Sequence, residues 1–588
     1  MATPAASPAH NPRRRAKKTA RFDDNPSRKP ETLVRTPSFP LAALLWPARS
    51  SHSQWEVLPL ILMAVGIFRW SAGLWGYSGF QKPPLFGDYE AQRHWMEVTT
   101  QLPMSQWYFH DLKWWGLDYP PLTAYHSWLL GKIGSLIDPS WFELYTSRGS
   151  HNPNLKIFMR ATVIVSEYLI YIPAVVIFVR RFSRASGIAQ WTSNVALVAI
   201  LMQPGLILID HVHFQYNTVM LGLVVASMSS MVAGRLMWSA AFFVLALGFK
   251  QMALYYAPVV FAFLLGRSVL SHNFRLFLGI AAVTIVSFAI LVLPLVLGTI
   301  YDARRGIQSQ PDINGGRPPL PIFAFLTQFI STDAFYYPVV EQLVQMVHRV
   351  FPFARGLFED KVANFWCAAN VVIKLRKYPT AVLQKLSLVA TLAAITPPCA
   401  VILLRPRREL LPYAFAATAW GFFLFSYQVH EKSVLLPLMP MTLLLAGHEG
   451  LGRDTRAWVG FANLLGAWTM FPLLQRVDLR VPYAVFTLLW AYLLGLPPVS
   501  LSTYFQDWPL GWQQWGTVVV HGIFYLCMCA WHVLQATMTP PTGKPDLWVV
   551  ANVGLGAAGF GICYLWCLGK LVVESGYMQA SATKLKTR

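Results

Sequence analysis

Two aspartates stand out in the stretch 86–121, where the residue types suit acid–base chemistry. Asp88 lies in a Gly-Asp-Tyr-Glu run and Asp118 in a Leu-Asp-Tyr-Pro-Pro run. The stretch is too polar to cross a bilayer and is dense in carboxylates and aromatic rings, whereas most of the chain is hydrophobic. A carboxylate can take a proton from an attacking hydroxyl group. We therefore predict an active site at a membrane surface, with Asp88 as the first candidate for its base.

Each aspartate also has a purely structural interpretation. Asp88 precedes an amphipathic segment, where a carboxylate can cap the N-terminus of a helix by accepting backbone N–H groups. Asp118 precedes Tyr-Pro-Pro, a sequence typical of a rigid extended turn. The sequence leaves cap and base equally open for Asp88. It favours the turn role for Asp118, which remains a secondary catalytic candidate.

The composition identifies the class of protein. Of the 588 residues, 55% are hydrophobic and 13% are charged, whereas soluble domains carry about 25% charged residues. Long apolar runs recur from residue 55 to residue 572, so the sequence predicts an all-α polytopic membrane protein. The net charge of +21 does not indicate nucleic-acid binding. Residues 1–54 are rich in Lys and Arg, and we predict that they form a disordered basic cytosolic tail.

Apolar runs predict about 14 transmembrane helices, since a span needs about 20 such residues. The predicted spans are 55–75, 157–179, 190–209, 218–233, 236–250, 251–266, 275–300, 386–404, 410–427, 433–447, 456–474, 481–498, 514–534 and 547–571. The run 362–373 is short and flanked by charges, and we assign it to an interfacial helix rather than a span. An even number of spans puts both termini on one side. The distribution of Lys and Arg indicates that this side is the cytosol.

The same parity places the polar segments together on the lumenal face. Two long loops, 76–156 and 301–385, are predicted there. We expect them to carry short interfacial helices, with 88–100 and 121–136 as those of the first loop. The polar clusters of the sequence therefore converge where a site could form.

The region 55–572 is predicted to be one transmembrane catalytic domain. The tail 573–588 follows it on the cytosolic side. Its Lys584 and Lys586 match a dilysine retrieval signal of endoplasmic-reticulum membrane proteins and equally match a plain basic tail.

Further polar residues on the lumenal face could bind an anionic or sugar substrate. His430-Glu431-Lys432 begins a span, just after Gln428, and could also be a snorkelling lysine beside an exposed glutamate. Lys250 ends an apolar run, and Arg317 lies in the second long loop. Residues of the first loop could line an acceptor cleft or anchor the loop at the interface; they are Glu90, Arg93, His94, Trp95, Trp114, Trp115 and Tyr119.

The sequence predicts no metal site. His211 and His213 have the spacing of a ligand pair, but no carboxylate cluster in the sequence is placed to complete a site. The six cysteines lie in or beside apolar runs and lack the partners that zinc needs. We therefore expect a reaction that needs neither a metal ion nor a cofactor.

Five motifs together resemble a known family. They are 87–97, 115–126, 210–217, 249–252 and 427–432. The chain resembles the dolichyl-phosphate-glucose-dependent glucosyltransferases of the endoplasmic reticulum, which belong to the GT-C class, over about residues 55–572. Within that family, the run from Asp88 to Glu97 is similar to the members that add the first glucose to the nine-mannose lipid-linked oligosaccharide.

The resemblance implies inverting transfer of glucose in α-1,3 linkage, without a metal ion. The donor would be dolichyl phosphate glucose and the acceptor the lipid-linked oligosaccharide Man9GlcNAc2-PP-dolichol of protein N-glycosylation. It also implies that Asp88 is the catalytic base. Such a reaction needs cations for the phosphate leaving group, and chemistry and position assign that role to His430, Lys432, Lys250 and Arg317. We expect a monomer among the lipids of the endoplasmic-reticulum membrane, with its active site in the lumen.

Other functions differ in the features that they require. A second glucosyltransferase of the same family, or a lipid-linked mannosyltransferase of the same fold, would keep the loop carboxylate. The mannosyltransferase should lack this set of motifs. A transporter or scramblase should show repeated halves and charges in the middle of its spans, and the sequence has neither.

Overall fold

The computed structural model describes residues 37–50, 54–309, 328–351, 357–358, 360–505 and 509–577. The regular elements in these ranges are helices, as expected where backbone polar groups must be satisfied within a membrane. The predicted site residue Arg317, residues 1–36 and 51–53 of the predicted N-terminal tail, and both Lys584 and Lys586 lie outside the described residues. Residues 37–50 of that tail, predicted to be disordered, are described and contain a short helix, in which Leu41 and Ala42 are buried, and a 3₁₀ turn.

The first half of the chain forms a series of helices joined by turns and longer loops. They are α1 Pro40–Leu45, α2 Gln54–Gly73, α3 Gly87–Gln101, α4 Pro121–Ile137, α5 Pro153–Ser166, α6 Ile172–Ala185, α7 Gln190–Leu201, α8 Pro204–Leu206, α9 Asn217–Val232, α10 Leu236–Phe249, α11 Ala257–Leu270 and α12 Phe274–Arg304. A first π-helical segment, Glu167–Tyr171, joins α5 to α6, and a second, Ile207–Phe214, continues α8. A 3₁₀ turn, Gln251–Tyr256, precedes α11.

The second half continues the same architecture. Its helices are α13 Tyr337–Val350, α14 Phe365–Ile373, α15 Thr380–Leu404, α16 Leu411–Phe425, α17 Leu435–Leu443, α18 Arg453–Thr469, α19 Phe471–Arg476, α20 Arg480–Leu494, α21 Ser502–Phe505, α22 Trp512–Thr537 and α23 Leu547–Glu574. A 3₁₀ turn, Glu431–Val434, precedes α17.

Nine helical segments of the described chain are long and apolar enough to cross a membrane. They are Glu56–Gly73, Pro153–Ala185, Gln190–Phe214, Gln251–Leu270, Phe274–Arg304, Thr380–Leu404, Arg453–Arg476, Trp512–Thr537 and Leu547–Glu574. Helices α9, α10 and α20 are apolar but shorter. The prediction of an all-helical polytopic membrane protein is confirmed, whereas the number of 14 crossings stays a prediction. Helix α14, in the run 362–373, has 9 residues, about half of what a span needs.

Burial separates the interior helices from the peripheral ones. In the segment Gln190–Phe214, 94% of the most apolar stretch of 18 residues is buried inside the protein, whereas in α12 only 11% of the corresponding stretch is buried. Helices α9, α16 and α17 also contribute most of their residues to the hydrophobic core. The apolar side chains that α12 leaves exposed suit contact with lipid acyl chains, which are as apolar as leucine.

Helix α3 is buried, although the sequence predicted a helix lying on the membrane surface. Every residue from Tyr89 to Thr99 is buried, and α3 packs against α4. Glu90, Arg93 and Glu97 resemble surface charges in the sequence, but they pair with one another inside the protein. Arg93 donates from Nε to Glu90 at 2.8 Å and from Nη2 to Glu97 at 2.6 Å. Arg93 shares its positive charge between the two carboxylates, and this pairing partly offsets the cost of burying them.

Candidate active site

Two glycines determine where Asp88 lies. Helix α3 begins directly after Phe86, and Gly87 and Gly79 have positive φ angles of 66° and 78°. Their backbones are in close contact, because a Cβ on Gly87 would lie 2.8 Å from the carbonyl oxygen of Ser78. A Cβ on Gly79 would lie 2.1 Å from the carbonyl carbon of Phe86. A side chain is therefore excluded at both positions, and the start of α3 is fixed against the preceding loop.

The Asp88 carboxylate contacts polar side chains and does not serve as the cap of α3. The N-cap position is Phe86, and no side-chain cap bond forms there. Oδ2 of Asp88 accepts a hydrogen bond from Gln215 Nε2 at 2.7 Å and forms a short ion pair with Lys432. Nδ1 of His213 lies 3.6 Å from the same oxygen. The carboxylate is 22% exposed, so it remains accessible to a ligand.

The pKa of Asp88 is held well below its usual range. Burial of the carboxyl raises its pKa, but the positive charge of Lys432, the contribution of His213 and the hydrogen bonds from Lys432 and Gln215 together lower it by more. Asp88 is therefore ionised at physiological pH. It is a weak base while Lys432 is paired with it, and sharing or removing that positive charge strengthens it.

Lys250 is the second cation of the site. It follows α10, is 2% exposed, and donates from Nζ to Gln215 at 3.1 Å and to Asn217 at 2.8 Å. Its Nζ lies 4.7 Å from the centre of the Tyr119 ring. Burial lowers the pKa of Lys250 to about 8, although the negative charge of Asp210 acts in the opposite direction. The residue is therefore a cation whose charge is lost on the alkaline side of neutrality.

The segment that carries Gln215 and Asn217 follows an interior span. The second π-helical segment ends at Phe214, whose φ of 89° is uncommon for a residue with a side chain. Asp210 accepts a hydrogen bond from Asn217 Nδ2 at 2.8 Å and another from the backbone N–H of Thr218 at 2.6 Å. These bonds fix the start of α9, so the two amides face Asp88 and Lys250 from a rigid support.

These groups border a single cavity of about 950 Å³, part of it open solvent. Its walls come from distant parts of the chain. The predicted site residues that line it are Asp88, Trp95, Trp115, Asp118, Tyr119, Lys250, His430 and Lys432. Cations and aromatic rings around two carboxylates can bind a sugar phosphate and place a base near it.

Asp118 faces the same cavity beside a residue that the sequence did not single out. Arg349 of α13 also lines the cavity. It donates from Nε to the carbonyl oxygen of Leu117 at 3.2 Å and from Nη2 to that of Gly116 at 2.8 Å. These bonds hold the turn that presents Asp118. The guanidinium group of Arg349 is a third cation at the site, after Lys432 and Lys250. The acceptors are backbone carbonyls more than 200 residues away in sequence, so no local pattern indicates the role of Arg349.

One comparison with known proteins decides the family. A family model described as the ALG6, ALG8 glycosyltransferase family matches residues 60–307 and 320–568. The chain belongs to this family. The members of this family are glycosyltransferases, in agreement with the family that the five sequence motifs resemble.

Curated relatives of this family member are similar over most of their length. The dolichyl pyrophosphate Man9GlcNAc2 alpha-1,3-glucosyltransferase of Saccharomyces cerevisiae is 40% identical, over 90% of this chain and 94% of the relative. The probable enzyme of that name in Schizosaccharomyces pombe is 41% identical, over 89% of this chain and 93% of the relative. The enzyme of Gallus gallus is 36% identical, over 85% of this chain and 93% of the relative.

Three predicted site residues of this glycosyltransferase lie within α3 and away from the cavity. Glu90, Arg93 and His94 form a buried network with Glu97, whose carboxylate lies 3.1 Å from His94 Nδ1. Arg93 also donates to Ser147 Oγ at 2.6 Å. The network ties α3 to the loop before α5, and so supports the helix that carries Asp88.

Other predicted site residues are not among the described residues that line the cavity. Trp114 lies under the guanidinium group of Arg148, 5.0 Å from its ring centre. Glu431 accepts a hydrogen bond from Arg476 at 3.2 Å. Neither Glu431 nor Gln428 is among the residues that line the cavity in the described part of the chain.

His430 lies at the cavity with carboxylates beside it. Its Nδ1 is 3.3 Å from Asp360 Oδ2 and 3.7 Å from Glu431 Oε2. Among the residues that the structure describes, these three are the group whose donor atoms are spaced for a metal ion. Metal independence of the reaction stays a prediction.

The histidine pair that the sequence suggested as metal ligands is divided between two carboxylates. His211 Nε2 lies 2.5 Å from Glu167 Oε2, which also accepts a hydrogen bond from Arg69 at 2.7 Å. His213 faces Asp88. The two imidazoles therefore have different partners rather than a shared one.

Proposed function

We propose that this chain transfers glucose from dolichyl phosphate glucose to Man9GlcNAc2-PP-dolichol, in α-1,3 linkage and with inversion, during protein N-glycosylation. The names of the relatives in Saccharomyces cerevisiae and Gallus gallus support the acceptor and the linkage. The observation that carries the chemistry is the ion pair between Asp88 and Lys432 at one cavity. It sets a carboxylate base beside a cation that can bind the phosphate of the donor.

The proposed reaction is one displacement at C1 of glucose. The 3-hydroxyl oxygen of the terminal mannose attacks C1, the bond from C1 to the phosphate oxygen breaks, and dolichyl phosphate leaves with the bonding electrons. Asp88 takes the proton of the hydroxyl group. Inversion requires the base and the leaving group to lie on opposite faces of the sugar ring. Lys432, His430 and Lys250 bind the phosphate and stabilise the charge that develops on it.

Lys432 has two successive partners in this scheme. The donor phosphate competes with Asp88 for its ammonium group. As Lys432 shares its charge with the phosphate, the pKa of Asp88 rises towards its ordinary value, because a nearby positive charge favours the ionised carboxylate. The base therefore becomes stronger once the donor has bound.

Aromatic rings that line the same cavity orient the sugars. Trp95 donates from Nε1 to the carbonyl oxygen of Trp115 at 2.8 Å, and Trp115 donates to that of Leu85 at 2.6 Å. Both indoles are thus held in place. Together with Tyr119 they offer rigid apolar faces against which a sugar ring can pack, and such positioning lowers the entropic cost of the reaction.

We further propose that the enzyme is a multi-pass protein of the endoplasmic-reticulum membrane with about 14 spans. The loops 76–156 and 301–385, and with them the active site, would face the lumen, and both termini the cytosol. The distribution of Lys and Arg between the spans supports this orientation. We expect a monomer that works among membrane lipids, without a metal ion, a cofactor or nucleic acid.

Transfer by the purified protein in lipid vesicles tests the proposed function. Dolichyl phosphate glucose and dolichyl phosphate mannose are each offered with Man9GlcNAc2-PP-dolichol, and with the same acceptor already carrying one glucose. We expect product only from the glucose donor and the unglucosylated acceptor. Transfer to the glucosylated acceptor would indicate the second glucosyltransferase activity. Transfer of mannose would indicate a mannosyltransferase, and lipid movement without transfer a transporter.

A further inference from the structure

Arg160 of α5 is buried beside the active site, with 4% of its surface exposed. Its guanidinium group donates to three backbone carbonyl oxygens: that of His211, that of Val212 at 2.9 Å and that of Gly76 at 2.9 Å. In the described part of the chain, its partners are carbonyl oxygens and not carboxylates. A buried cation without a counter-charge is costly. The three carbonyl acceptors therefore offset part of the cost of burying the guanidinium group.

Two of these carbonyl groups cannot be satisfied within their own helix. His211 and Val212 lie in the last turn of the second π-helical segment, where carbonyl groups run out of intrahelical donors. The next carbonyl, that of His213, accepts from the backbone N–H of Ser78 at 3.1 Å. The chain then becomes extended at Gln215, with a φ of −156°. The side chain of Arg160 and the backbone of the 76–79 segment thus complete the end of this helix.

Arg160 joins the two segments that meet at Asp88. The segment from Gly76 leads to the glycine contact that places α3, and the end of the π-helix presents His213 and Gln215. We propose that Arg160 is a positioning residue of the active site, which sets the distances from Gln215 and His213 to the Asp88 carboxylate. The inference rests on the proposed function, in which Asp88 is the base.

The proposal predicts a change in the proton affinity of the base, and not only in the amount of active protein. The groups that face Asp88 are Lys432, from the 3₁₀ turn before α17, and His213 and Gln215, with Lys250 behind Gln215. If the end of the π-helix loosens, Asp88 loses the hydrogen bond from Gln215. Loss of one hydrogen bond to a charged group raises a carboxyl pKa by about one unit. The base is then protonated, and inactive, at a higher pH.

Two substitutions and a matched control test the role of Arg160. Arg160→Met removes the charge and its three hydrogen bonds, and Arg160→Lys keeps the charge and an ammonium donor. Arg456→Lys is the control, because Arg456 is 1% exposed and donates to the carbonyl oxygen of Leu451 at 3.0 Å, yet does not line the described cavity. Thermal unfolding in detergent checks that each variant is folded. Transfer is then followed against pH at saturating substrates, where kcat reports the base in the enzyme–substrate complex.

We expect kcat of Arg160→Met to fall about 10²-fold, as displaced catalytic groups can cause, and that of Arg160→Lys to fall less. The acid limb of both profiles should move to higher pH by about one unit, and Arg456→Lys should change neither quantity. An unchanged kcat, an acid limb that does not move, or the same movement in the control would overturn the positioning role. Failure of both Arg160 variants to fold, while the control folds, would assign Arg160 to folding and would also overturn it. Absence of transfer by the unsubstituted enzyme would instead refute the proposed function.

Discussion

Asp88→Asn separates a catalytic role from a structural one. Asparagine keeps the shape and an oxygen that can accept from Gln215 and Lys432, but it cannot take a proton. Asp88 is not the cap of α3, so the usual cost of losing a cap, about 0.5–2 kcal/mol, does not arise. The variant does lose its charge attraction to Lys432, in a pair whose side chains are 16% and 22% exposed. We expect a loss of unfolding free energy of about 1–3 kcal/mol, between the values typical of exposed and fully buried pairs.

The expected effect on turnover is larger and has a different origin. Removing a general base costs about 10²–10⁴-fold, which corresponds to about 3–5 kcal/mol of activation free energy at about 1.36 kcal/mol per factor of ten. A protein with an unfolding free energy of about 5–15 kcal/mol stays almost completely folded after the smaller loss. Reduced stability therefore cannot imitate the loss of the base.

The assay measures single turnovers with enzyme in excess over dolichyl phosphate glucose. Binding of dolichyl phosphate and a monodisperse peak in detergent show that each variant is intact. Asp111→Asn is the matched control, because its carboxylate is 25% exposed and pairs with Arg148 at 2.7 Å, but does not line the described cavity. It should keep normal turnover. Asp118→Asn should be milder than Asp88→Asn and act through the loop. Near-normal turnover by Asp88→Asn beside an inactive Asp118→Asn would assign the base to Asp118 and refute our reasoning.

Four further predictions follow from the site and the topology. Lys432→Gln should raise the KM for dolichyl phosphate glucose and leave that for the acceptor nearly unchanged, because it removes a cation from the phosphate site; an unchanged donor KM in initial-rate assays would remove Lys432 from that site. Burial lowers the pKa of Lys250 to about 8, so its charge is present below that pH and lost above it. Transfer should decline as the pH rises through this value, and Lys250→Arg, which stays charged, should move this decline to higher pH. If the decline stays at the same pH in the variant, another group causes it. Transfer should survive EDTA, and a loss that a divalent cation restores would point to the carboxylates around His430. Cysteines introduced into 76–156 and 301–385 should react with impermeant reagents only when sealed microsomes are opened, and labelling from outside would contradict the proposed orientation.

The spans could be predicted from sequence because composition alone marks them. Long apolar runs such as 275–300 and 547–571 need no knowledge of their partners, since lipid or protein can surround them equally well. The number of crossings is harder to predict. Helices α9 and α10 have 16 and 14 residues, fewer than a full span, and their contribution depends on how they pack.

The burial of α3 and the end of the second π-helical segment could not be predicted. Arg93 resembles a surface residue until its pairing with Glu90 and Glu97 is known. The break near Gln203 and Pro204, followed by a π-helix, divides a run that resembles one continuous span. Both features arise from tertiary contacts, which override local patterns.

The site residues also divide into those that local sequence patterns predict and those that depend on tertiary contacts. Asp88, Lys250 and Lys432 could be predicted as site residues because they are charged residues in polar motifs next to long apolar runs. The structure brings all three to one cavity. Arg160 and Arg349 were missed because each binds backbone carbonyl oxygens, which every residue carries. A sequence does not show which carbonyls lack a helical partner.

Helix α12 is longer than the hydrocarbon core of a bilayer and contacts the first loop. Its 31 residues make it roughly 46 Å long at about 1.5 Å per residue, whereas the hydrocarbon core is about 30 Å thick. Even at a tilt of about 40°, the helix rises roughly 35 Å, so we expect its last turn to stand beyond the acyl chains. In that turn, Asp302 accepts the backbone N–H of Ser105 at 3.0 Å, in the loop between α3 and α4. We expect this contact to keep the reacting groups at headgroup depth, where a lipid-borne phosphate and a hydrated glycan can meet.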